Sequence, residues 1–138
     1  MLATQITDWM LKGMTGKETD APLSDCWMGL MRMEGETLVE PTATDYARTH
    51  IGHTTYSSSS DIKMDDPDNG TIKNKEYIMF NETQSAWGQV SYFGLFATET
   101  GGSALITGSL TQEVTIDANK VPLFNIGAFT ITIRDNVE

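Results

Sequence analysis

The stretch Gly88–Leu110, GQVSYFGLFATETGGSALITGSL, decides the fold class. Val90, Tyr92, Gly94 and Phe96 alternate with Ser91, Phe93, Leu95 and Ala97, which is the period of two that a strand imposes. TETGG interrupts the run, and its paired glycines accept positive φ without steric cost. SALITGSL then returns with aliphatic and β-branched residues. Two such runs around a Gly-rich turn predict an antiparallel hairpin closed by Gly101 and Gly102.

The same grammar extends in both directions. Downstream come EVTI, the turn DANK, VPLF, and AFTITI, in which Phe129, Ile131 and Ile133 alternate with Thr130, Thr132 and Arg134. Upstream, TIKNKEYIMF sets Tyr77 and Met79 against Ile78 and Phe80. DDPDNG before it is a turn, with Pro67 setting φ and Asn69-Gly70 tolerating positive φ. LSDCWMGLMRM is apolar on both faces and about as long as one buried strand. The polar run EGETLVEPTATDYARTHIGHTTYSSSS predicts one short strand around Tyr46–Thr49 within loop structure.

The first residues behave differently. In MLATQITDWMLKGM, Leu2, Ile6, Trp9, Met10 and Gly13 gather on one side of a helix. A helix this short needs something to pack on, either its own sheet or a neighbouring subunit. The fold predicted is therefore mainly β: an antiparallel β-sandwich or barrel-like domain with one short N-terminal helix. It forms a single domain over 1–138, with the helix at 1–14, the β domain at 23–138 and a long polar loop region near 35–75.

Composition narrows function. Nineteen acidic residues against nine basic ones give a net charge of −10 and a pI near 4.4. Such a surface repels nucleic acid and anionic membranes, and suits solubility or a partner with a basic face. The N terminus lacks the basic and apolar regions of a secretory signal, which implies synthesis in the cytoplasm. Cys26 is the one cysteine, so no intrachain disulfide forms, and its apolar setting reads as core packing.

No constellation reads as catalytic. His50-x-x-His53 lacks the further ligands that zinc needs. Asp61, Asp65, Asp66 and Asp68 offer hard oxygens for calcium, but their spacing departs from the EF-hand loop and reads as a solvated turn. No nucleophile elbow, phosphate loop or dinucleotide fingerprint occurs, so no enzyme activity and no cofactor are expected. Trp87 and Tyr92 could stack on a sugar in a lectin-like domain, although alternating aromatics more often build a core.

SAWGQVSYFGLFATETGGSALITGSLT and VPLFNIGAFTITI together resemble a family of small tailed-bacteriophage virion proteins, commonly labelled tail-fibre or head-fibre proteins. Trp87-Gly88, Phe93-Gly94-Leu95-Phe96, Thr100-Gly101-Gly102 and Gly127-Ala128-Phe129-Thr130 follow that family's order. ITDWMLKGM, APLSDCWMGLMRM and DYAR match its N-terminal half, so the resemblance covers nearly the whole chain. The Met-rich strand and DDPDNG depart from the pattern. The resemblance implies a structural protein of the particle surface, most specifically a capsid-decorating or head-fibre type. It implies a homo-oligomer, with a trimer favoured, in contact with the major capsid protein or other virion proteins. A tail-fibre or receptor-binding module is the alternative. It carries no catalytic residues; the residues expected to serve packing and assembly are Trp9, Met10, Trp87, Gly94, Phe96 and Phe129. Gly94 and Gly127 are expected where a backbone or a bulky side chain approaches closely.

Overall fold

The computed structural model describes residues 25–53, 63–66 and 68–132. The predicted N-terminal helix, with Trp9 and Met10, lies outside these residues, as do Asp61, Pro67 and Ile133. The described part is mainly antiparallel β and contains no helix.

The predicted apolar strand is β1 (Asp25–Glu34), the centre of a five-stranded sheet. One edge of β1 is shared. Its last residues pair with β2 (Thr37–Val39) across a tight turn, and its first residues pair with β3 (Thr49–His53). Gly35 makes the turn at φ 62°, a conformation that disfavours any side chain. The other edge pairs with β6 (Gly88–Phe96), which in turn pairs with β7 (Ile106–Ile116). This is the predicted hairpin, with Gly101 and Gly102 at φ 72° and 69°.

Two ribbons face the sheet. β4 (Thr71–Lys73) pairs with β9 (Thr130–Thr132), and β5 (Ile78–Met79) pairs with β8 (Leu123–Phe124). They supply Ile78, Phe80 and Phe129 to a core that the sheet completes with Met28, Leu30, Ile51, Trp87, Val90, Leu95 and Ile116. Phe129 meets Phe93 edge-on at 4.9 Å between centroids. Among the described residues, these ribbons rather than a second sheet of matching size oppose the main sheet.

Three sequence readings shift. The short strand expected at Tyr46–Thr49 begins only at Thr49, and Tyr46 lies in the preceding coil. TIKNKEYIMF is not one strand: Asn74 breaks it into β4 and β5, while Ile78 and Phe80 point inward and Tyr77 and Met79 outward as alternation requires. SALITGSL and EVTI are one strand, β7, carrying a wide irregularity. Val90 pairs with Val114 and Tyr92 with Ser109, so Leu110, Thr111, Gln112 and Glu113 stand opposite Ser91 alone. The alternation of β6 changes parity there. Val90 joins Phe93 and Leu95 in the core, whereas Phe96 pairs with Trp27 and lies beneath Arg48.

Candidate assembly site

The polar run 40–48 looks like surface loop in the sequence, yet it holds the sheet together. β2 and β3 leave a gap on the outer edge of β1, and Leu30 faces that gap. The Tyr46 hydroxyl fills it, accepting a hydrogen bond from Leu30 N–H at 3.0 Å and donating to Glu40 Oε2 at 2.5 Å. Burial and the neighbouring Glu40 carboxylate push the phenol pKa far above its ordinary value. Glu40 is also gripped by Arg48, through Nη2–Oε1 at 2.6 Å and Nε–Oε2 at 3.1 Å.

Arg48 is 8% exposed, and its remaining donors go to the β6–β7 hairpin. Nη1 donates to Thr98 C=O at 2.9 Å and to Gly101 C=O at 2.8 Å. The guanidinium lies 3.4 Å from the Phe96 ring centroid. Gly94 and Gly29 permit this stack: a Cβ on Gly94 would sit 2.8 Å from Met31 Sδ and 2.9 Å from the Phe96 ring. Close approach therefore explains Gly94 as expected. Gly127 has open space around it, and its requirement is the positive φ of 78°. The expectation of close approach there is corrected.

Asp45 pins the opposite side of the same segment. Its carboxylate accepts hydrogen bonds from the Ser85 hydroxyl, from the backbone N–H groups of Gln84 and Ser85, and from Trp87 Nε1 at 3.2 Å. The Ser85 hydroxyl first, then the Gln84 N–H, hold its pKa well below the usual carboxylate range. Two further buried polar residues act alike. Asn74 donates to Glu76 C=O and Asn125 C=O and accepts from Phe129 N–H, tying the C-terminal segment to β4. The Thr83 hydroxyl donates to Asp117 C=O at 2.6 Å and accepts from Lys120 N–H, fastening the β7–β8 turn. No buried side-chain nitrogen or oxygen among the described residues lacks a partner.

The opposite margin has no covering strand among the described residues. β7 pairs only with β6 among the described residues, and a groove of about 600 Å³ runs between it and the chain through β8 and β9. Its floor is the core itself, at Leu30, Phe80, Val90 and Phe129. Its rim is Val114, Val121 and Leu123, respectively 47%, 43% and 43% exposed. Among the described residues that line it, Lys120 is the one that carries a charge.

The structure places the other sequence candidates as follows. Trp87, Gly94, Phe96 and Phe129 are all buried. Asp65, Asp66 and Asp68 are exposed, and no group of three or more potential metal ligands comes together among the described residues. His50 stacks on Trp27 at 4.5 Å, and Cys26 packs at the edge of the core. Trp87 spends its indole N–H on Asp45 inside the protein, so it offers no platform to a sugar, whereas Trp27 and Tyr92 are half-buried.

Among the described residues, this antiparallel β scaffold spends its buried polar side chains on its own loops and packs a glycine-relieved aromatic stack. A family-level match supplies the kind of protein: residues 1–132 match Podophage GP4 fiber I protein gp80, and the chain belongs to that family of phage fibre structural proteins. The family makes it a virion component. No curated protein matches the chain.

Proposed function

We propose that this chain is a head-fibre or capsid-decorating building block on the particle surface, assembled as a homo-oligomer and held by contacts to other virion proteins. It acts by binding and not by catalysis. The observation that carries this reading is the pairing of an internally pinned scaffold with a groove whose apolar floor no described residue covers. Exposed apolar surface of this kind marks an interaction site, and repeated weak contacts multiply through valency. The net charge of −10 favours basic patches on the shell as partners. A trimer is the oligomer that local three-fold capsid symmetry favours.

The fibre description of the family favours a second reading, a tail-fibre or receptor-binding module. Cryo-electron microscopy of the particle separates the two. Density for this domain on the capsid lattice supports decoration, and density only on the tail overturns it in favour of the second reading.

A further inference from the structure

We propose that residues 40–48 form a strap over the edge of β1 that opens as one unit, at a lower free energy than global unfolding and independently of the ribbons. The device works the same way wherever in the particle the chain sits.

The strap covers a stretch of sheet edge that no strand covers. β3 pairs with β1 as far as Met28, and β2 pairs with it from Arg32 onward. Among the described residues, Gly29, Leu30 and Met31 therefore have no strand on that side. Tyr46 stands in for one, its hydroxyl accepting from Leu30 N–H at 3.0 Å. Leu30 is 3% exposed. With the strap lifted, its N–H would face solvent in the middle of an open strand edge.

The way the strap is held sets it apart from the strands. Backbone ladders fix β1, β6 and β7. Among the described residues, the strap makes one backbone–backbone hydrogen bond, within itself, from Tyr46 N–H to Ala43 C=O at 3.1 Å. Ala43 and Tyr46 pack against the core. The hydrogen bonds that join the strap to the body run through the side chains of Asp45, Tyr46 and Arg48, with Glu40 linking the last two. A segment without a ladder and with few apolar contacts belongs to the part of a fold that opens first.

These anchors do not release one at a time. The Tyr46 hydroxyl is shared between Leu30 and Glu40, and Glu40 is shared between Tyr46 and Arg48. The Arg48 side chain is 5% exposed, so parting from Glu40 strands a buried charge. That step costs far more than losing one neutral hydrogen bond. The same guanidinium holds Thr98 C=O and Gly101 C=O of the hairpin. On its other side, Tyr46 meets Trp87 edge-on at 5.0 Å, and Trp87 Nε1 donates to Asp45. Leu30, the hairpin tip and Trp87 are thus held by one network. The ribbons are fastened elsewhere: Asn74 bonds Glu76, Asn125, Gly127 and Phe129, none of which is a partner of the strap.

Hydrogen exchange followed by NMR on the full chain tests the device with two buried reporters. One is the Leu30 amide, which Tyr46 protects, and the other is the Trp87 indole N–H, which Asp45 protects. In the wild type both should open with the same free energy. That free energy should be smaller than for the Trp87 backbone amide, which Ile116 C=O holds within the sheet at 2.9 Å. Arg48→Met should accelerate both reporters by one factor, on the order of 100-fold, although Arg48 bonds neither. The Phe129 amide should keep its wild-type rate. Asn74→Ala should do the reverse, accelerating Phe129 and leaving both reporters unchanged. Asp45→Asn is a milder change that carries the test if Arg48→Met does not fold. It should accelerate the Leu30 amide roughly ten-fold, although Asp45 does not bond Leu30. Four results overturn the proposal. The two reporters open with different free energies in the wild type; both match the Trp87 backbone amide, which leaves no opening short of global unfolding; a strap variant accelerates the reporter nearest to it alone; or Phe129 accelerates together with both reporters, which makes the loss global.

Discussion

Replacing Arg48 by Met tests whether the Glu40–Arg48 pair is a structural pin or an incidental ion pair. The arginine side chain is 5% exposed and Glu40's is 21%, so the pair is sheltered on one side and partly solvated on the other. Methionine keeps much of the volume over Phe96 but removes four hydrogen bonds, two to Glu40 and one each to Thr98 and Gly101. It leaves a carboxylate supported by Tyr46 alone, takes the arginine donor from Thr98 C=O, and leaves Gly101 C=O with only the Thr98 hydroxyl at 3.3 Å. Breaking a buried pair at one end costs roughly 3–5 kcal/mol, and the partial exposure of Glu40 places the expected loss near the lower bound, about 3 kcal/mol. For a chain of this size that is on the order of 10 °C in Tm. It is also a large share of a total stability of roughly 5–15 kcal/mol. Urea unfolding followed by circular dichroism measures the loss. Adding Glu40→Gln neutralises the stranded carboxylate while keeping an acceptor for Tyr46, so the double variant should be more stable than Arg48→Met. A single-variant loss below about 1 kcal/mol, the range of surface ion pairs, refutes the reasoning. So does a double variant that is less stable than Arg48→Met.

Tyr46→Phe should cost about 1–3 kcal/mol by leaving Leu30 N–H without its acceptor, with the edge contact to Trp87 retained and an unchanged urea m value. Gly94→Ala should cost roughly 1–3 kcal/mol through the clash with Met31 and Phe96, read as a lower thermal midpoint. Asn74→Ala should loosen the 124–129 turn first, seen as faster hydrogen exchange at Phe129, whose amide loses the Asn74 side-chain oxygen, while Gly127, bonded to the Asn74 backbone carbonyl, changes less. Asp45 has a depressed folded-state pKa, so its contribution is present above the unfolded value near 4 and fades as pH falls below it. Asp45→Asn should therefore flatten the acid limb of a stability-versus-pH curve; an unchanged limb contradicts the role.

The strands were legible where burial is one-sided and regular. The β6–β7 hairpin follows from aromatic alternation around paired glycines, and Ile78 and Phe80 against Tyr77 and Met79 from simple period two. What failed was the assumption that alternation continues unbroken. The residues opposite Ser91 invert the parity of Val90, and no propensity marks a bulge whose cause is the fit between two strands. The polar pins were hidden for a different reason. Glu40, Asp45, Arg48, Asn74 and Thr83 sit in polar stretches, where polarity ordinarily means solvent. The structural role of each depends on its partners, up to 55 residues away as between Asn74 and Phe129. The one local hint was DYAR itself, an aromatic flanked by opposite charges with a further acid eight residues before the arginine. The groove was not legible at all, because Val114, Val121 and Leu123 alternate as core residues would and are exposed only because nothing described covers the margin of β7.

The central claim is that this chain is a building block of the phage particle, and quantitative mass spectrometry of gradient-purified particles tests it most directly. The account predicts the chain in intact particles at a fixed, multi-copy ratio to the major capsid protein, retained through repeated purification. Finding it only in the lysate of infected cells, with none in the particles, would contradict the account.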